Sequence, residues 1–136
     1  MRIFLDTNVV LDFLTGREPF VDDAEEVIEL CTHDGFCGVF TTLSACNAVY
    51  VLAKAIGRRE AETRLSDFVE LVGLVGVRPE SITDNLLGPH SDFEDSVQLS
   101  EAVTWQADAI VTRDKRGFAG SEIPVYTPSV FLEKMA

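Results

Sequence analysis

Basic residues are scarce: 11 Lys plus Arg stand against 23 Asp plus Glu, a formal net charge of −12 over 136 residues. This deficit excludes a protein that grips DNA or a membrane through a broad basic face, because such binding depends on neutralising many phosphates. It does not exclude a nucleic-acid enzyme whose carboxylates hold metal ions. Cysteine is sparse as well, and three residues (Cys31, Cys37, Cys46) cannot all pair within one chain. Together with His33 they match no closed zinc motif, so they read as reduced thiols in the core. No apolar run approaches the ~18 residues of a membrane span, and no basic-then-apolar leader precedes the strand-like run that starts at Met1. The expectation is a cytoplasmic chain with no membrane association. Nine Gly and five Pro against 46% hydrophobic residues exclude a disordered or low-complexity chain.

What is present is an alternation of short apolar runs with longer amphipathic ones, the pattern of parallel strands joined by helices. Strands are predicted at Arg2–Leu5, Phe36–Phe40, Leu74–Val77, Ala109–Thr112 and Pro124–Tyr126. Helices are predicted at Asn8–Leu14, from an Asp22 or Asp23 cap to Gly35, from Thr41–Ser44 to Ile56, and at Arg59–Leu71, Asp92–Ala107 and Pro128–Met135. Ser81–Leu87 is a short helix or turn before Gly88–Pro89. Tyr50 and Trp105 lie on apolar helix faces and read as core. With no repeat and no linker, residues 1–136 read as one α/β domain of about five strands.

Ligands of a parallel α/β sheet bind at the carboxyl ends of its strands. Asp6 ends the first strand, Asp114 follows the fourth, and Asp92 and Asp95 occupy the first turn of the helix before that fourth strand. The i, i+3 spacing of Asp92 and Asp95 gives them a common helix face, with Glu94 directed elsewhere. Read singly, Asp6 and Asp92 are also good helix caps and Asp114 a good turn residue. Read together, they are several carboxylates converging on one cleft, which calls for a hard cation such as Mg²⁺ or Mn²⁺ and points to metal-assisted phosphate chemistry. Arg113, Lys115 and Arg116 flank Asp114 and are candidates for holding RNA phosphates. No Gly-rich phosphate loop is present.

Ile3-Phe4-Leu5-Asp6-Thr7-Asn8-Val9-Val10-Leu11-Asp12 resembles the opening of PIN domains. Asp92-Phe93-Glu94-Asp95, then Ala107-Asp108-Ala109-Ile110-Val111-Thr112-Arg113-Asp114 and Phe118, resemble their closing motif; Pro124-Val125-Tyr126-Thr127-Pro128 with Phe131-Leu132 is similar to their usual ending. The resemblance covers essentially the whole chain. It implies a three-layer αβα sandwich around a roughly five-stranded parallel sheet. It also implies Mg²⁺- or Mn²⁺-dependent cleavage of RNA, most like a VapC-type toxin with a cognate antitoxin and a homodimeric state. Asp6, Asp95 and Asp114 match the family's catalytic, metal-holding acids; Thr112 matches a hydroxyl residue lining the site, and Asn8 a polar residue bracing the first acid. Two positions depart from the pattern. Asn47 stands where the family usually has a glutamate, and Gly117 where it often has a further acid. Asp92 and Asn47 are then expected to assist the three acids, Asp92 by supplying charge and Asn47 a carbonyl oxygen. The alternative implied by the two departures is a weak or inactive PIN-like domain that binds RNA or protein.

Overall fold

Five short strands, β1 (Arg2–Leu5), β2 (Cys37–Thr41), β3 (Gly73–Val75), β4 (Ala109–Val111) and β5 (Val125–Tyr126), form one parallel sheet of order β3-β2-β1-β4-β5 in the computed structural model of residues 1–136. Seven helices cover it: α1 (Thr7–Thr15), α2 (Val21–Cys31), α3 (Thr42–Ile56), α4 (Arg58–Phe68), α5 (Pro79–Thr83), α6 (Phe93–Trp105) and α7 (Pro128–Met135). A 3-10 turn, Lys115–Phe118, follows β4.

The central strands read as unbroken apolar runs because both faces of the sheet are buried. Ile3, Leu5, Ala109 and Val111 point into a large core with Val9, Val10, Val27, Ile28, Leu52, Phe68 and Phe131. Phe4 and Ile110 point the other way, against Val39, Ala102 and Phe118. Burying each of the larger side chains contributes about 1.5–3 kcal/mol, so the alternation along β1 and β4 commits the sheet to helices on both sides. The result is the expected three-layer αβα sandwich. From β1 the chain moves outward to β2 and β3, then returns to place β4 on the opposite side of β1. The crevice of such a sheet lies where the strand order reverses, here between β1 and β4.

Several local expectations need correction. α2 starts at Val21, after Phe20, which makes no side-chain cap; Asp22 and Asp23 sit inside the first turn, where their charge still suits the helix dipole. Tyr50 is exposed (66%), its ring 4.3 Å from Nζ of Lys54, because α3 turns that face away from the sheet. Trp105 is half-buried, and the Arg2 guanidinium lies 4.1 Å from its ring centre. Of the cysteines only Cys31 is buried. It packs against Gly38, where a Cβ would fall 2.8 Å from its own, and burial pushes its thiol up to about 12. Cys37 and Cys46 are exposed. No helix is long and apolar enough to cross a membrane.

A buried charge joins α5 to α6. Glu101 of α6 is 1% exposed and accepts hydrogen bonds from the Arg78 backbone N–H (3.1 Å), from Arg78 Nε and from the Ser81 hydroxyl. These bonds tie α5 to α6.

Candidate active site

Asp6 leaves β1 in extended conformation (φ −74°, ψ 157°) and caps α1, its Oδ1 accepting the Thr7 N–H at 2.8 Å. Its Oδ2 accepts a hydrogen bond from Thr112 Oγ1 at 2.7 Å. That contact follows from register: Leu5 is paired with Val111, so the next residue on each strand emerges at the same height. The Thr112 oxygen in turn accepts from the Asp114 N–H (3.0 Å) and from Asn8 Nδ2 (3.3 Å). Asn8 therefore braces Asp6 through Thr112. Asp6 caps α1 and at the same time faces Thr112 across the crevice. It is 5% exposed, and burial pushes its carboxyl above the ordinary carboxylate range, with smaller upward contributions from Glu94 and Asp114; the Thr112 and Thr7 hydrogen bonds oppose the shift.

α6 precedes a strand of a parallel sheet, so it runs antiparallel to it and starts at the carboxyl edge. Asp92 is its cap, extended (φ −142°, ψ 120°), with Oδ1 accepting the Asp95 N–H at 3.0 Å. The cap reading of Asp92 is thus borne out, and the cap sets its carboxylate beside Asp95 at the exposed start of α6. Its charge reaches Asp95. The Asp95 carboxyl is pushed up to about 7, first by desolvation and then by the charges of Asp6, Asp92, Asp114 and Glu94. Acids from β1, α6 and the loop after β4 are thus brought together around Asp95. Asp114 is half-exposed and caps the 3-10 turn, its Oδ1 accepting from the Arg116 N–H at 3.3 Å and Nε at 3.4 Å. That turn lays Gly117 against Asp95: a Cβ on Gly117 would fall 2.7 Å from the Asp95 Cγ and closer still to its Oδ2.

This arrangement of acids around the β1–β4 crevice agrees with the family match. The PIN domain model covers residues 2–116. The chain belongs to the PIN domain family. Its fold is similar to that of a toxin–antitoxin complex component from Klebsiella pneumoniae (TM-score 0.68, 18% identity, 93% of this chain and 97% of that one). VapC20 of Mycobacterium tuberculosis, described as a Sarcin-Ricin loop cleaving toxin, is similar at TM-score 0.69 and 13% identity, over 86% and 93% of the two chains. VapBC-1 of nontypeable Haemophilus influenzae gives TM-score 0.69 and 14% identity over 95% and 99%. No curated protein sequence is significantly similar to the chain.

Within this PIN domain Glu94 is the acid that sequence reasoning misplaced. It faces the crevice, with Oε1 accepting from Asn47 Nδ2 at 3.1 Å and from Thr7 Oγ1 at 3.3 Å. Ser44 and Gln98 complete that wall: Gln98 Nε2 donates to Ser44 Oγ (2.8 Å) and Thr7 Oγ1 (3.2 Å). A signal was available, because Glu94 and Gln98 are four apart and a polar Gln98 interrupts the buried side of α6 at Val97 and Ala102. Asn47 donates its amide nitrogen to Glu94.

Arg113 also departs from expectation. Its Nε and Nη2 donate to the two Asp12 oxygens at 2.6 and 3.2 Å, and its guanidinium lies 4.0 Å from the Phe20 ring centre. Asp12 is 1% exposed, so this pair is a clamp between α1 and the loop after β4, and Arg113 is not a free phosphate-binding cation. Lys115 and Arg116 remain exposed. An Asp12→Ala protein should lose about 2–3 kcal/mol of stability, somewhat under the full cost of breaking a buried pair because Arg113 keeps 26% of its side chain in water. Urea unfolding measures this, and an unshifted midpoint would refute the clamp.

The donors here are all hard oxygens, the set suited to Mg²⁺ or Mn²⁺. No three of the chain's His, Cys, Asp or Glu groups close into a metal cage. Mg²⁺ commonly needs no such cage: one or two carboxylates, retained waters and a substrate phosphate suffice.

Proposed function

We propose that this PIN domain is a Mg²⁺- or Mn²⁺-dependent endoribonuclease acting as the toxin of a toxin–antitoxin pair. The observation that carries the reading is the crowding of like charge on Asp95, whose carboxyl is pushed up to about 7 by burial and by acids from separate elements. Perturbation of this kind, at the strand-order switch of a parallel sheet, supports a functional site there. Asp6, Asp95 and Asp114 are the residues to hold the cation. When bound, it neutralises charge developing on the phosphodiester and makes a water more acidic.

The chain's own groups supply the rest. The Thr7 N–H and Thr112 hydroxyl hold Asp6 to one orientation. The Asp92 cap fixes the backbone of Asp95, and Gly117 leaves room for its carboxylate. The N-termini of α1, α3 and α6 open at the same edge, and their dipoles favour anions there. RNA phosphates meet Lys115 and Arg116 beside Asp114, and a polar groove lined by Ser96, Ser100, Arg116 and Gly117 leads away along α6. The surface of Leu43–Ile56 and Leu65–Val72, including exposed Tyr50 and the apolar groove of Ala45, Val49, Ala53 and Leu65, suits a homodimer or the antitoxin.

RNA incubated with the protein is expected to be cut with Mn²⁺ or Mg²⁺ and to survive in EDTA, and Asp6→Asn should slow cutting more than about a hundredfold. Cutting indifferent to both would overturn the assignment; RNA binding without cutting would favour a binding module. Replacing Lys115 and Arg116 by alanine should flatten log K against log salt by roughly 0.7 per residue.

A further inference from the structure

Asn47 sits on α3 where PIN domains usually place a glutamate, and a neutral amide cannot replace that charge. The structure brings a different carboxylate to this spot. Glu94 is held by one oxygen: Asn47 Nδ2 and Thr7 Oγ1 both donate to Oε1, at 3.1 and 3.3 Å. Thr7 Oγ1 lies 2.6 Å from Ser44 Oγ, and the amide nitrogen of Gln98 donates to both hydroxyls. Gln98 is fully buried and its own Oε1 has no partner, an unsatisfied acceptor on the wall that holds Glu94. The second oxygen of Glu94, Oε2, takes no hydrogen bond from the protein, and no lysine or arginine pairs with the group. A carboxylate anchored through one oxygen, with the other free and no cation beside it, is neither a cap nor half of an ion pair.

We infer that Glu94 is the fourth acid of the site, carried on α6 beside Asp95 in place of the α3 glutamate, and that Asn47 is its positioning residue. The inference rests on the metal-dependent reading above. It follows that the site keeps four carboxylates, Asp6, Glu94, Asp95 and Asp114, although the α3 acid is missing. The charge of Glu94 is felt by both Asp6 and Asp95, which places it within electrostatic range of each.

The test is Mn²⁺ titrated calorimetrically into the full chain at pH 8, with thermal melts in EDTA to show that each variant is folded. Glu94→Gln should bind Mn²⁺ at least ~10-fold more weakly than the unaltered chain. Adding Asn47→Glu to the Glu94→Gln protein moves the charge back to α3 and should recover the affinity to within about threefold, a rescue that a purely structural role for Glu94 would not produce. The inference is overturned if Glu94→Gln binds Mn²⁺ normally while Asp95→Asn does not, or if the relocated glutamate fails to restore binding to a folded protein. If the unaltered chain takes up no Mn²⁺ and cuts no RNA, the metal-dependent reading itself fails, and the inference with it.

Discussion

A Gly117→Ala protein is expected to fold normally and to lose RNA cleavage about as completely as a protein lacking Asp95. The new Cβ would fall 2.7 Å from the Asp95 Cγ and 3.2 Å from its Cβ, with Oδ2 nearer still, so one side must move. The 3-10 turn cannot retreat, because Phe118 in the same turn is 2% exposed and packed with Phe4, Ala102 and Ile110. α6 cannot retreat either, being held by buried Val97, Gln98 and Glu101. What yields is the short Asp95 side chain, which swings away from Asp6 and Asp114. A displacement of an ångström in such a group costs on the order of a hundredfold in rate. The melting temperature should change little, since the same movement relieves crowding between like charges. Single-turnover cleavage beside a thermal melt checks both halves, and full activity would show that the position of Asp95 does not matter.

Asp95→Asn should cut RNA more than about a hundredfold more slowly and yet, without metal, be the more stable protein at pH 8. The Asp95 carboxyl is pushed from its ordinary 3.8 up to about 7, by desolvation first and then by Asp6, Asp92, Asp114 and Glu94. Between those two pH values the folded chain holds a proton that the unfolded chain has released, so stability falls as pH rises through about 4 to 7. Above 7 the loss is complete. Asparagine does not titrate, so the advantage of the variant in EDTA should be near zero at pH 4 and full by pH 8. Its size is limited because Asp95 is only partly buried and water screens its neighbours. The variant also gives up a favourable charge in the first turn of α6, a smaller opposing effect. Mn²⁺ should reverse the order at pH 8 by binding the native state of the unaltered chain alone. Parallel stability–pH curves for the two proteins would refute the crowding of charge on Asp95.

Much of this molecule is legible in its sequence. The apolar runs at Ile3–Leu5 and Ala109–Val111 specify buried parallel strands because both neighbouring layers must be apolar, and helix periodicity specifies what lies between them. The placement of Asp6 and Asp114 at one edge is legible because a parallel sheet exposes the residues just beyond its strands there. What a local reading misjudges is direction. Glu94 and Asp95 are adjacent, and periodicity around an isolated helix turns Glu94 away. Asn47 on α3 and Thr7 on α1 turn it inward, and both are distant in sequence. Arg113 reads as a phosphate-binding cation because its acidic partner, Asp12, lies 101 residues earlier. Tyr50 reads as core because its neighbours are apolar, yet only the docking of α3 decides which of its faces is covered.

The sequence by itself determined the architecture and the PIN family, since both depend on patterns repeated within short stretches and on acids at fixed distances from strand ends. Only the tertiary structure decided that Glu94 turns toward Asn47, that Arg113 is already neutralised and that residue 117 lies against Asp95. Those outcomes depend on the β1–β4 register and on the meeting of α1, α3 and α6 at one edge of the sheet. Long-range packing sets both, and no local spacing encodes it.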